Sequence, residues 1–178
     1  MRIIAGEFKR RSLKTLKGSN TRPMMDRMKE AVFNSIGPYF DDVKVLDLFG
    51  GSGALSLESI SRGATRAYVI DKAKDATKVI NENINLLNVG DKAFAFNMSY
   101  ERALRKFKDE KFDLIFLDPP YKLNIINDIA KILIDNKMLA ENAYLVCHYV
   151  KGNLEEIDGL KLIKNFAYGS SEVSIYQN

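Results

Sequence analysis

The chain has 178 residues, 46% of them hydrophobic, with 27 basic and 23 acidic side chains, one cysteine and one histidine. That size suits a single domain, because a chain of about 150 residues already buries roughly 70% of the surface its unfolded form exposes. No apolar run approaches the roughly 20 residues that a membrane-crossing helix needs, the opening residues lack the long apolar segment of a secretory signal, and Cys147 alone cannot close an internal disulfide, so the expectation is a cytoplasmic protein with no membrane, disulfide or transition-metal chemistry.

Charge is concentrated at the start. Residues 1 to 30 hold nine basic side chains against three acidic ones, a balance of +6, which leaves the remainder at −2. A polyanion is the expected partner, since each phosphate neutralised by Lys or Arg adds about −0.7 to −0.9 to the log-log salt slope of binding. Arg10, Arg11, Lys14, Arg22 and Arg27 are the candidate RNA contacts. A basic tail that merely aids solubility is the competing reading. Phe8 and the alternation of Ile3/Ile4 and Leu13/Leu16 predict an ordered basic hairpin over residues 1–20, an extension of the domain formed by 21–178.

Thr21-Arg22-Pro23 then opens a helix in which Met25, Met28, Val32 and Ile36 share a face, stopped at Gly37-Pro38. From Val43 onward, short apolar runs alternate with helical stretches, the pattern of a parallel sheet covered by helices. Strands are predicted at Val43–Asp47, Arg66–Asp71, Ala93–Asn97, Phe112–Asp118 and Ala143–Tyr149. Helices are predicted near 54–62, 73–87, 99–108 and 124–136. The spacing of Ala76, Val79/Ile80, Asn83/Ile84 and Leu87 marks a core face. Leu160-Leu162-Lys164 and Val173-Ile175 alternate like two antiparallel strands around Tyr168-Gly169, completing a seven-stranded, mostly parallel sheet. Cys147 and His148 read as ordinary strand residues.

The first of these strands ends Val45-Leu46-Asp47-Leu48-Phe49 and runs into Gly50-Gly51-Ser52-Gly53. A glycine turn lets a ligand approach the backbone with no Cβ in the way. Asp47 disfavours a phosphate there and attracts a cationic amino-acid group, and the chain lacks the Gly-Lys-Ser/Thr of a phosphate loop. Asp71 closes the second strand, where a carboxylate accepts hydrogen bonds from both ribose hydroxyls of a dinucleotide or of adenosylmethionine. It could instead cap the helix behind Lys72-Ala73.

The fourth strand separates these ligands. It ends in Asp118-Pro119-Pro120-Tyr121: a carboxylate, a rigid carbonyl and an aromatic ring at the carboxyl edge of the sheet, where open α/β sheets place ligands. The ring can stack on an exposed base while the two oxygens accept hydrogen bonds from its amine. Hydride transfer has no use for that set. Asp-Pro-Pro can also do no more than end a strand, because proline lacks an amide donor.

Together these residues resemble the RsmD-type small-subunit ribosomal RNA guanine-N2 methyltransferases. The resemblance runs almost end to end: Met1-Arg2-Ile3-Ile4-Ala5-Gly6, Thr21-Arg22-Pro23 with Asp26-Arg27-Met28-Lys29-Glu30-Ala31-Val32-Phe33-Asn34, the Val45–Leu55 loop, Ser61-Arg62-Gly63-Ala64, Phe112 through Tyr121, and Tyr168-Gly169. It implies a Rossmann-like class I methyltransferase fold and S-adenosylmethionine as cofactor, held by Asp47, Phe49, Gly50, Gly51, Ser52, Gly53, Asp71, Lys72, Asn97, Met98, Ser99 and Asp118. It implies catalysis by Asp118, Pro119, Pro120 and Tyr121 on the N2 amine of guanine 966 in 16S ribosomal RNA. The substrate would be a small ribosomal subunit or its assembly intermediate and the enzyme a monomer, with no metal. The chain departs from the family at Met24 and Met25, where hydroxyl residues are usual, and at Gly50 for alanine and Ser56 for glycine. It also has Asp71 for glutamate, Ser99 for an aspartate and Cys147 for an acidic residue.

The resemblance implies direct displacement, with Asp118 and the Pro119 carbonyl aiming the amine, so that a histidine base is unnecessary. Three rivals stand beside it: an adenine-N6 or cytosine-N4 methyltransferase, a noncatalytic RNA-binding module on the same fold, and an NAD oxidoreductase.

Overall fold

The computed structural model describes residues 1–16, 26–120 and 123–178. In it the alternating pattern folds as α1 (Asp26–Ile36), β1 (Lys44–Asp47), α2 (Ala54–Ser61), β2 (Arg66–Asp71), α3 (Lys74–Leu87), β3 (Ala93–Asn97) and α4 (Tyr100–Lys106). There follow β4 (Phe112–Leu117), α5 (Ile126–Asp135), β5 (Leu139–Val150), β6 (Lys161–Tyr168) and β7 (Ser171–Gln177). The strands form one seven-stranded sheet in the order β3-β2-β1-β4-β5-β7-β6. Pairing is parallel from β3 through β5 and antiparallel where β7 joins β5 and β6. No helix among the described residues is long and apolar enough to cross a membrane.

Strand periodicity divides the core. Val45, Val69, Leu114, Phe116 and Val146 face one side with α1, α2 and α3. Leu46, Ile70, Leu117, Leu145 and Cys147 face the other with α4 and α5. Successive side chains of a strand point to opposite faces, so each strand feeds both layers. α1 buries Met28, Val32, Phe33 and Ile36, three of them on the expected face; Met24 and Met25 lie outside the described residues, as do Thr21, Arg22 and Pro23. β5 starts at Leu139, earlier than the sequence pattern suggests, because Leu139 already pairs with Phe112 across a register shift in β4.

The basic N-terminal segment turns back on itself with one ladder pair, Arg2 opposite Ser12. Its fastening is mostly to the domain. Ile3 and Leu13 are buried in the same core as α1 and α2, and the Glu7 amide donates to the Ser61 carbonyl at 2.7 Å. Beneath it lies Glu58, a fully buried residue of α2. One of its carboxylate oxygens accepts the Ile4 amide at 2.7 Å and faces the Lys29 ammonium at 3.3 Å. The other accepts the Ala5 amide at 3.0 Å and Arg62 Nε at 2.8 Å. Lys29 Nζ also donates to the Arg2 carbonyl, and the Arg62 guanidinium lies over Phe33, 4.7 Å from its centroid. Lys29 is therefore no part of the surface field that the count of basic residues suggested. Its side chain is 1% exposed, and burial pushes its pKa down while Glu58 pulls it back.

Candidate active site

Strand order reverses between β1 and β4, the place where open α/β sheets hold ligands at the carboxyl ends of their strands, and three carboxylates end strands there. Asp47 is the last residue of β1, Asp71 the last of β2, and Asp118 follows β4. Asp47 is 1% exposed, with Oδ2 accepting the Ser56 hydroxyl at 3.0 Å and Oδ1 the Phe49 amide at 3.2 Å. Burial raises its pKa to about 7. The Ser56 and Phe49 donors oppose that rise, and the charges of Asp118 and Asp71 add to it. Ser56, which stands in place of a glycine, thus orients the buried carboxylate from the first turn of α2.

The glycine turn is shaped by what surrounds it. The Gly50 amide donates to the Ile70 carbonyl at 2.7 Å, so close to β2 that a Cβ at Gly50 would come within 2.5 Å of Val69 Cγ1. An alanine there would force the Val69 side chain to shift. Gly51 is different: its φ is +56° and a Cβ would meet nothing within 4 Å, so its backbone faces open space in a conformation that glycine adopts without strain. Asp71 ties this turn to the next element, its Oδ2 accepting the Gly51 amide at 2.9 Å and its Oδ1 the Ala73 amide at 2.8 Å. The sequence posed ligand and helix cap as alternatives, yet Asp71 already braces the loop on both sides. Each oxygen keeps a further lone pair with which it can accept a ligand's hydroxyl.

Other predicted site residues fall around the same edge. Phe49 packs on Tyr100, centroids 5.6 Å apart, the Ser52 carbonyl accepts from Asn83 Nδ2 at 2.9 Å, and Gly53 precedes the first turn of α2. Lys72 is exposed. Asn97 spends its amide nitrogen on the carbonyls of Asp71 and Lys72, both at 3.1 Å. The Met98 amide also reaches the Asp71 carbonyl at 3.1 Å, and Ser99 caps α4 in an extended conformation without a side-chain cap bond. Past β4, Pro119 is buried and Pro120 exposed, with the Leu123 amide closing a turn onto the Pro120 carbonyl at 2.8 Å. Tyr121 lies outside the described residues.

Two residues that no motif marks for this edge join it. His148, an ordinary strand residue by its pattern, places Nδ1 2.8 Å from Asp118 Oδ1; adjacency of the two strands predicts such a pair only once their register is known. Asn83, counted as part of a core face, is fully buried and joins Ser52 of the glycine turn to both backbone groups of Lys14. A polar residue at a core position of α3 was the available signal, because buried amides are hydrogen-bonded. Among the RNA candidates, Arg10, Arg11 and Arg27 are exposed. Lys14 pairs with Glu82 at 3.0 Å on the surface, a contact worth about 1 kcal/mol at most. Arg22 lies outside the described residues.

A buried carboxylate at this position favours a cation. Below about pH 7 the ligand-free Asp47 carboxyl holds a proton that a cationic ligand held there must expel, so affinity for such a ligand is expected to fall as pH is lowered through about 7, by up to about tenfold per unit. Titration calorimetry in buffers of different ionisation enthalpy reads the released proton, and Asp47→Asn should remove both the proton release and the slope. A pH-independent affinity in the wild type would contradict the assignment.

Comparison with known proteins adds a second line. The family model described as Conserved hypothetical protein 95 matches residues 1–177. Bacillus subtilis YlbH is 38% identical, covering 99% of this chain and 98% of its own length. The Haemophilus influenzae protein named Ribosomal RNA small subunit methyltransferase D is 32% identical over 100% of this chain and 94% of its own. Among solved structures, Escherichia coli yhhF superposes with a TM-score of 0.86 at 28% identity, covering 100% of this chain and 97% of that one.

Proposed function

Because the chain belongs to the Conserved hypothetical protein 95 family, we propose that it transfers a methyl group from S-adenosylmethionine to the exocyclic N2 amine of a guanine in 16S ribosomal RNA, guanine 966 by resemblance. The observation that carries this reading is the placement of Asp118, directly after β4 and two residues past Phe116, the register partner of the buried Asp47 on the neighbouring β1. A carboxylate able to accept amine hydrogens thus stands at the same sheet edge as one suited to a cation. The relatives named for small-subunit ribosomal RNA methylation support the substrate class.

The residues present fit the cofactor. Asp47 offers a buried carboxylate to a positive group, Gly51 leaves room for close approach to the backbone, Asp71 would accept the ribose hydroxyls, and Asn97, Met98 and Ser99 would meet the adenine end. When bound, the cofactor supplies an electrophilic methyl group. The chain's own task is positioning. Guanine N2 is a poor nucleophile, its lone pair being delocalised into the ring, so Asp118 and the Pro119 carbonyl would accept its hydrogens, hold it in line and stabilise the positive charge that grows on nitrogen. Tyr121 would stack on the base, a contact worth about 1–3 kcal/mol in single-strand binders. The proton of the methylated amine leaves to Asp118 or water.

The exposed Arg10 and Arg11 would contact phosphates, which position RNA without reading its sequence. Replacing both with alanine should weaken RNA binding and reduce the log-log salt slope by roughly 1.5, as measured by filter binding or fluorescence anisotropy over a salt series. An unchanged slope would remove the segment from the interface. The reading as a whole is tested by incubating small-subunit particles, assembly intermediates and protein-free 16S RNA with labelled S-adenosylmethionine, then analysing nucleosides. N2-methylguanosine is expected from one of these substrates, with the protein acting as a monomer. Label in N6-methyladenosine or N4-methylcytidine would replace the proposal with its nearest rival.

A further inference from the structure

We infer that His148 is a positioning residue for Asp118: from β5 it donates its Nδ1–H to Asp118 Oδ1 and so fixes the rotation of the carboxylate that presents Oδ2 to the substrate amine. The inference rests on the reading of Asp118 as the amine-holding group and adds a member to that site.

Register brings the two together. β4 and β5 run parallel with Leu117 opposite Cys147, so the next residues, Asp118 and His148, meet side by side where β4 gives way to the proline turn. Their side chains are 30 residues apart in sequence and 2.8 Å apart in space. The two ends of this contact differ. The imidazole is 2% exposed, whereas the carboxylate is 25% exposed. A buried donor therefore holds one oxygen of a carboxylate that keeps part of its surface accessible at the end of β4.

Chemistry fixes the direction of the bond. An ionised carboxylate only accepts, so the proton between the two atoms belongs to Nδ1. Free neutral imidazole in water prefers its proton on Nε2, and the tautomer in a protein is set by the partner of each nitrogen. The bond to Asp118 thus keeps a proton on Nδ1, and the carboxylate in return loses the freedom to rotate about its χ2 angle. That freedom matters. An amine aimed by one carboxylate oxygen follows that oxygen's position, and small misplacements of a reacting group cost large factors in rate. Partners that orient a functional side chain through one hydrogen bond change activity by about 10 to 100-fold when removed from metal sites.

The chain's single histidine makes the bond directly observable. In protein labelled with 15N-histidine, nitrogen-detected spectra report one imidazole, and Nδ1 is expected to carry a proton; an unprotonated Nδ1 would overturn the inference. Steady-state methylation of the RNA substrate gives the second readout. His148→Ala is expected to lower kcat about tenfold or more while leaving KM for S-adenosylmethionine within about twofold. His148→Asn, whose Nδ2–H can reach the same oxygen, is expected to recover kcat to within about threefold of wild type. A wild-type kcat in His148→Ala, or an asparagine variant as slow as the alanine one, would overturn it. Should His148→Ala fail to fold in a thermal melt, the asparagine variant and the tautomer still decide. Absence of any N2-methylguanosine with the wild-type enzyme would instead defeat the reading of the reaction, which the imidazole spectrum does not depend on.

Discussion

Replacing Asp118 with alanine is expected to abolish methyl transfer while leaving S-adenosylmethionine bound. In the proposed reaction the carboxylate would accept from the substrate amine, and the charge it would stabilise develops only as the new N–C bond forms, so its loss should fall on kcat rather than on cofactor affinity. Removing one preorganised group of this kind costs on the order of 10²–10³ in rate. Asp118→Asn separates charge from shape: its carbonyl oxygen can still accept the His148 Nδ1–H, which lies 2.8 Å from Asp118 Oδ1 in the wild type, but it carries no negative charge for the amine. Both variants should be nearly inactive in single-turnover assays with labelled cofactor. Calorimetry should show cofactor binding largely retained, because Asp47, Gly51 and Asp71, which fit the cofactor, remain in place. Loss of the Asp118 charge lets Asp47 ionise more readily, so cofactor binding by the variants should begin to weaken at a lower pH than in the wild type. Near-normal turnover in Asp118→Asn would refute the role of the charge, and near-normal turnover in Asp118→Ala would refute the site.

Glu58→Ala should produce the largest loss of stability of any single substitution considered. Glu58 is fully buried and takes two backbone amides and two cations on its carboxylate. Truncation leaves Lys29 and Arg62 buried without their anion, with side chains 1% and 2% exposed. Breaking a buried ion pair by removing one partner costs about 3–5 kcal/mol, a large part of the roughly 5–15 kcal/mol that holds a domain folded. For a chain of this length the midpoint of thermal unfolding should fall by about 6–20 °C. Glu58→Gln should also destabilise, because its amide would set two hydrogens against donors that now meet an acceptor. Denaturant titration at constant m-value measures both; a change below about 1 kcal/mol would show that the N-terminal segment is held by its apolar contacts, Ile3 and Leu13, alone. Since the same carboxylate anchors Ile4 and Ala5, RNA affinity through Arg10 and Arg11 should drop with the anchor.

These two residues mark where sequence reading succeeds and where it stops. Asp118 is legible because its signal is local: an apolar run of strand length, a proline pair that cannot continue the strand, and a chemistry-bearing side chain at the junction. The strands Arg66–Asp71 and Ala93–Asn97 fall where the pattern predicts for the same reason, and the glycine turn follows β1 as its spacing demands. Glu58 gives no such signal. A glutamate between Leu57 and Ser59 in α2 looks like an exposed position of an amphipathic helix, yet every residue of that helix is buried. The N-terminal segment and α1 cover the side that would otherwise meet solvent.

What the amino-acid order determined by itself, then, is everything governed by near neighbours: which segments become strands or helices, where glycine and proline end them, and which carboxylates stand at strand ends. Only the tertiary structure decided which distant groups those carboxylates meet. Lys29 turned inward to Glu58, Ser56 turned to Asp47, and His148 came beside Asp118. The reason is physical. Periodicity is written in the spacing of residues along one element, whereas a hydrogen-bond partner depends on the register between elements, and shifting that register by one residue would turn His148 to the opposite face of the sheet.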